Sequence, residues 1–430
     1  MYLLRWILHR TVRQGGELLG IVRKHFEHQR DILPEKNRLE LEGGIATYEK
    51  TLKDPATTMA QLKQAGTAFE ELAHKWLKSY PFAAYRDNFE SLLGTVVIIF
   101  AFKTFFATPM EIPTGSAQPT FNGITFEDLR DKPEVKIPTG FQRIWERWVK
   151  GHSYYEVIAE ADGEIEGFGQ PSKQIGFGKL GLGKRIDLRV GGRTYPIRWA
   201  PDDHMVHLGL FDPPARTWQK SSFKRGEPIV RCRVATGDRL FVERLTYNFR
   251  KPRRGDYFVF QSTGMPAAVT PGTHYIKRLI AFGGEKVRIG DDRHVYINGR
   301  ALGTNDRGFE KVYSFDPAKA PVDSQYSGHV NGATYARAYK QWLMSTPHAA
   351  VPKDQLEAWA EGTANQMAPA VGHYFPDAQA EFTVRPNCYL GFGDNTMSSS
   401  DGRHWGDVPR EKVVGKSLFV MWPFTSRWGW

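Results

Sequence analysis

The sequence predicts a mainly β protein carried on a membrane-length helix, with a helical N-terminal region and α/β insertions. After Thr120, short runs of β-branched and aromatic residues alternate with Gly, Pro and Asp, which is the pattern of strands and turns. From Phe89 to Ala107 the chain reads FESLLGTVVIIFAFKTFFA, close to the roughly 20 apolar residues that a bilayer core takes. Before it, apolar residues recur near a 3.6-residue period, as in amphipathic helices.

At 430 residues and 41% hydrophobic content the chain exceeds one ordinary domain and can bury a sizeable core. Its mean hydropathy of −0.46 makes most of it water-compatible. The net charge of +11 is spread out, with no dense basic stripe of the kind that binds nucleic acid. It fits anionic headgroups or a solvated surface better. Cys232 and Cys388 lack metal-ligand spacing, and a disulfide or two buried thiols are both open readings. The start MYLLRWIL is too short for a cleavable signal or a span.

Taken in order, residues 1–88 predict a helical region. One helix falls near Met1 to Arg30, Gly43-Gly44 is a break, and Asp54-Pro55 serves as cap and first residue of another helix carrying Met59, Leu62, Phe69, Leu72 and Trp76. Residues 89–107 form the transmembrane helix, with a buried globular helix as the alternative. Lys103 can snorkel outward from it. Lys75, Lys78 and Arg86 precede the span and no Lys or Arg follows closely. The N-terminal side is therefore expected to be cytoplasmic and the rest extracytoplasmic.

Strands are expected at Arg185–Val190, Gly192–Trp199, Ile229–Val234, Arg239–Leu245, Tyr257–Gln261, Tyr275–Ile280, Lys286–Ile289 and Val295–Asn298. Residues 108–120, 227–300 and 382–424 together predict the β domain that carries the chemistry. Two insertions interrupt it, 121–226 with a helix near Phe141–Lys150, and 301–381 with helices near Tyr335–Leu343 and Gln355–Met367. A G-x-G-x-x-G string at 176–181 precedes a strand rather than a helix, so it reads as a hairpin and not a phosphate cradle.

Three clusters carry candidate chemistry. Thr114-Gly115-Ser116 presents a serine beside a flexible glycine, and such a serine needs a base for its proton and donors for an oxyanion. In His274 to Val287, strand alternation puts Lys277 on the face of Tyr275, Leu279 and Ala281 and Arg278 on the other. A lysine among apolar neighbours loses hydration, and burial yields a neutral amine that can act as a base. The third cluster, Gly391 to Gly406, offers hydroxyls at Ser398 to Ser400 and an Asp401–Arg403 pair that can fix a loop.

Together these clusters resemble the bacterial type I signal peptidases. The family order is a membrane anchor, a Pro-Ser-Gly-Ser-Met-x-Pro-Thr box, Gly-Asp and Arg-Gly-Asp strands, Tyr-Ile-Lys-Arg, and Gly-Asp-Asn-x-x-x-Ser-x-Asp-x-Arg. This chain has IPTGSAQPT, Gly237-Asp238, Arg254-Gly255-Asp256, Tyr275-Ile-Lys277-Arg278 and GDNTMSSSDGR. The resemblance implies coiled antiparallel sheets, Ser116 as nucleophile and Lys277 as general base. It further implies Thr114 at the oxyanion hole, and Ser399, Asp401, Arg278 and Arg403 as supports, with no cofactor and no metal. Two departures stand out. Ala117 replaces the usual methionine, bearing on the substrate groove or lipid contact, and Thr396 replaces an arginine.

The function this implies is a membrane-anchored serine endopeptidase that removes signal peptides from secretory preproteins, with the inner membrane as its place. Preproteins and membrane lipids are the expected partners, and nucleic acid is not. A specialised protease for a dedicated substrate set and a noncatalytic, membrane-anchored peptide-binding β module are the alternatives.

Overall fold

The computed structural model describes residues 5–6, 9–78, 82–170, 172–175, 182–198, 208–212, 214, 217–265, 270–348 and 351–429. The G-x-G-x-x-G string lies outside them. The chain divides into two units, Met1–Ile98 and Ile99–Trp430.

In the first unit, helices α1 (Arg10–Gln29), α2 (Glu35–Lys53) and α3 (Met59–Trp76) share one core. Val12, Leu19, Val22 and Phe26 face Leu41, Ile45, Tyr48 and Leu52 and the α3 residues Leu62, Phe69 and Ala73. These spacings of three, four and seven put each set on one helical face. Two details differ from the sequence reading. Gly43-Gly44 lies inside α2 instead of breaking it, and a Cβ on Gly44 would stand 2.3 Å from Leu72 Cδ2, so this glycine permits close packing. Asp54 ends α2 and accepts from the Ala56 amide at 2.9 Å, while α3 starts later, at a capping box of Thr58 and Gln61. Reciprocal side-chain bonds satisfy the first-turn amides that Asp54 is too distant to reach.

Helix α4 (Ala83–Ala101) passes into a wide turn, Phe102–Phe106. The apolar stretch Tyr85–Phe106 has mean hydropathy 1.7, is long and apolar enough to cross a membrane, and is unburied. It begins before Phe89 and stops short of Ala107, which is already the first residue of a strand.

The second unit is built on a seven-stranded antiparallel sheet. Its strands are β1 (Ala107–Glu111), β2 (Arg239–Glu243), β3 (Tyr257–Gln261), β4 (His274–Phe282), β5 (Cys388–Phe392), β6 (Val408–Pro409) and β7 (Val413–Trp422). Their order across the sheet is β1-β2-β7-β3-β4-β5-β6. Register shifts interrupt the β2–β7, β3–β7 and β4–β5 ladders, and such bulges bend and coil a sheet. The strand Pro228–Ala235, grouped from sequence with this domain, pairs instead with Thr125–Asp128 and His152–Ile158 of the 121–226 segment. Lys286–Ile289 and Val295–Ile297 likewise join a four-stranded sheet with Arg300–Ala301 and Glu381–Thr383.

The expected helices appear as α5 (Gly140–Trp148), α6 (Gly332–Ser345) and α7 (Leu356–Gly372). Cys232 and Cys388 are both buried and are not joined in a disulfide. The α3 capping box predicts that Thr58→Ala lowers stability of the helical unit by about 1 kcal/mol. Urea unfolding of the full chain followed by circular dichroism measures it, and no shift of the helical transition would rule the cap unimportant.

Candidate active site

Ser116 sits in a tight turn, Gly115–Ala117, five residues past the end of edge strand β1. The turn is pinned from the other side of the sheet. The Asn395 amide donates to Ser116 O at 3.2 Å, and Asn395 Nδ2 donates to Gly115 O at 3.1 Å. Thr114 Oγ1 lies 3.4 Å from Ser116 Oγ, a long contact.

Lys277 is 2% exposed, and its Nζ donates to Ser399 Oγ at 3.0 Å. Burial lowers its pKa to about 8, against the opposing pull of the nearby Asp401 carboxylate. Two glycines let this constellation close. A Cβ on Gly391 would press on the Phe258 ring at 2.7 Å and on Lys277 Cβ at 3.0 Å. A Cβ on Gly393 would stand 2.2 Å from Ser399 Oγ and 2.4 Å from Ser116 O. The serine turn and the lysine's hydroxyl partner therefore converge on one point that only glycine leaves open.

The loop after β5 is closed by Asp401 and Arg403, both 0% exposed. Arg403 Nε and Nη2 each donate to Asp401 at 2.9 Å, and Asp401 also accepts from the Gly393 and Arg403 amides. Burial opposes the Asp401 charge, yet the Arg403 guanidinium overrides it and holds the carboxyl down to about 2. Arg403 Nη1 also reaches Thr396 Oγ1 at 2.8 Å, so the threonine that replaces an arginine serves as a hydroxyl acceptor.

Arg278 is not part of that pair. On the opposite face of β4 from Lys277 it makes a two-pronged contact with Asp394, Nε to Oδ1 at 2.7 Å and Nη2 to Oδ2 at 2.6 Å. Tyr257 and Thr120 hydroxyls also donate to Asp394. Asp394, Asn395, Thr120 and Tyr257 were not singled out from sequence, although the first two lie inside the GDN string that was quoted. Asp238 and Asp256 of the two Gly-Asp strands are buried turn supports. Asp238 accepts from the Asn122 amide at 2.7 Å and Asp256 from the Arg253 amide at 3.0 Å.

Ala117 is fully buried among Ile112, Phe121, Leu240, Tyr257 and Val420, so it packs behind the cleft-lining Ile112 and Leu240 and does not line the cleft itself. The groove lies beside it. A cleft of about 500 Å³ is lined by Met110 to Thr114 and Ser116 on one side, Thr270 and Thr273 to Ile276 on the other, and Leu240, Val242 and Val259.

Residues 230–422 match the family model described as signal peptidase, peptidase S26. This part of the chain is similar to the signal peptidase family. It is similar to a probable signal peptidase I-2 of Synechocystis sp., 27% identical over 186 residues, which are 43% of this chain and 56% of that protein. Signal peptidase I of Leptolyngbya laminosa is 27% identical over 192 residues, 44% of this chain and 63% of its own length. A signal peptidase I of Aquifex aeolicus is 27% identical over 199 residues, 44% and 70% respectively. The chain thus spans a little over half the length of the first of these relatives. A crystal structure of a signal peptidase I from Enterococcus faecalis aligns with 39% of this chain and 97% of its own, at 24% identity and a TM-score of 0.19.

The Arg278–Asp394 contact predicts a sharp asymmetry. Asp394→Ala leaves a buried, unpaired guanidinium and costs about 3–5 kcal/mol, whereas the paired change Arg278→Met with Asp394→Leu recovers most of it. Denaturant midpoints of the variants measure both.

Proposed function

We propose that the chain is a membrane-anchored endopeptidase that removes signal peptides from secretory preproteins through Ser116 and Lys277. The observation that carries this reading is Lys277. Its amine is out of water, and its hydrogen-bond partner Ser399 is packed with the Ser116 turn against Gly393. A lysine so placed is half neutral near pH 8 and able to take a proton that an ordinary lysine cannot.

In this mechanism the Ser116 hydroxyl gives its proton to Lys277 Nζ as Oγ attacks the scissile carbonyl. The oxyanion is met by the Ser116 amide and the Thr114 hydroxyl. Collapse breaks the C–N bond, and the leaving amine takes the proton back from Lys277. Water then loses a proton to Lys277 Nζ and attacks the Ser116 ester, and Lys277 returns that proton to Ser116 Oγ as the ester bond breaks and the new carboxyl end is released.

The cleft explains how a signal peptide is read. Among the described residues, strand β1 has a neighbour only in β2, and β4 pairs with β5 only from Arg278 onward, so residues 274–277 keep one edge without a strand partner there. An extended peptide can add to these edges by main-chain bonds. Its alternate side chains meet Ile112, Leu240, Val242 and Ile276, an apolar wall that favours small apolar groups near the cut. The Tyr85–Phe106 helix, leading straight into β1, anchors that edge at the bilayer surface, with the residues before it cytoplasmic and those after it outside. The intact pairing of Lys277 with Ser399 speaks against a noncatalytic peptide-binding module.

Because the neutral amine is the active form and its pKa is about 8, kcat/KM on a preprotein in lipid vesicles is expected to rise as pH passes through 8 and level off above it. Ser116→Ala is expected to leave no cleavage, and Lys277→Ala to lower kcat by about 10²- to 10⁴-fold. Mass-spectrometric mapping should place the cut after a small residue. Undiminished cleavage by Lys277→Ala would remove the lysine from the mechanism, and a wild type inert on several preproteins would favour the specialised or the noncatalytic reading.

A further inference from the structure

The Ser116 turn separates two cavities. The first is the apolar cleft bounded by strand edges, which ends at Ser116. The second, of about 550 Å³, begins at Gln118 on the other side of the turn. Asn395 lines it while its amide and side chain hold the carbonyls of Ser116 and Gly115, so its wall is continuous with the support of the nucleophile. The opposite wall comes from α6 in the 301–381 segment, by way of Tyr339 and Trp342.

This wall is built for flat side chains. Tyr335, Tyr339 and Trp342 recur at helical spacing and stack in a ladder, with ring centroids 5.5 and 5.4 Å apart and planes 19° from parallel at both steps. Tyr335 is buried at the base of the ladder, while Tyr339 and Trp342 are half-exposed at the cavity. Asn331 fixes the start of α6, its Oδ1 accepting from the Thr334 amide at 2.8 Å. The rest of the lining is amide, hydroxyl, proline, valine and methionine, with no formally charged group among the lining residues. A charged side chain entering here would lose water without gaining a counter-ion, whereas an aromatic one would extend the stack.

We propose that this cavity holds the first residues after the scissile bond and selects an aromatic or other large neutral side chain there, with Trp342 as the specificity-determining residue. The inference rests on Ser116 as the nucleophile. With the signal-peptide half of the substrate laid on the free edges of β1 and β4, the chain continuing past Ser116 leaves the strand edges and enters this cavity. None of its lining residues lies in a strand, so selection here acts through side chains.

The test uses the full chain in detergent and peptides that share one signal-peptide half but carry Phe, Ala or Asp at each of the first four positions after the cut. At one position the wild type is expected to prefer Phe over Ala by about tenfold in kcat/KM and to disfavour Asp. Trp342→Ala is expected to bring the Phe-to-Ala ratio close to one, a ratio that loss of folded protein leaves unchanged. Equal cleavage of all peptides by the wild type, or a Phe preference that persists in Trp342→Ala, overturns the proposal. The same peptides are titrated by fluorescence anisotropy against the uncleaving Ser116→Ala protein. Phe-selective binding that is lost with Trp342→Ala supports the cavity even if no peptide is cut, in which case the proteolytic reading fails alone. Binding without side-chain preference removes the cavity's role.

Discussion

The buried contact between Asp401 and Arg403 is the constraint on which the site depends. Neither residue touches solvent, and between them they bind the Gly393 amide, the Thr396 and Ser399 carbonyls and the Thr396 hydroxyl. A loop that otherwise has no strand partners is thereby closed on itself. Its two working residues, Asn395 and Ser399, are then presented to the Ser116 turn and to the Lys277 amine. A buried pair of this kind is weak in net stability but costly to break, which suits a device that specifies one geometry.

Adjacent residues of β4 show two ways of burying a cation. Arg278 keeps its charge, because Asp394 meets it in two-pronged fashion and Tyr257 and Thr120 complete the carboxylate's shell. Lys277, on the other face, faces a hydroxyl and apolar side chains. The Asp401 carboxylate acts on it from a distance and is already occupied by Arg403, so desolvation wins and the amine becomes a weak acid's partner at mild pH. Strand alternation thus assigns neighbouring residues to opposite tasks.

The strands between Arg185 and Asn298 were legible because they carry compact β-branched or aromatic runs, whereas Ala107–Glu111, Thr125–Asp128 and His152–Ile158 were not read as strands. Tyr257–Gln261 and Lys286–Ile289 have the bounds read from sequence. Which sheet a strand joins was not, since pairing of Pro228–Ala235 with Thr125–Asp128 is a long-range choice that local pattern does not encode. Thr58 was passed over for Asp54 because both are good caps, and only the Gln61 side chain decides between them. Ser116 and Lys277 stood out by motif. Asp394 and Asn395 did not, because their work is done across the fold, on Arg278 and on the Ser116 turn. Trp342 lies in a segment for which the motifs offered no comparison.

The central claim is that Lys277 is held as a near-neutral amine by its burial. Titration of the lysine side chains by NMR, in full-length protein in detergent with Lys277 assigned by its loss in Lys277→Ala, tests it most directly. A midpoint near 8 is predicted. A midpoint at the ordinary lysine value near 10.5 would mean that water or a counter-ion reaches the amine, and would contradict the account.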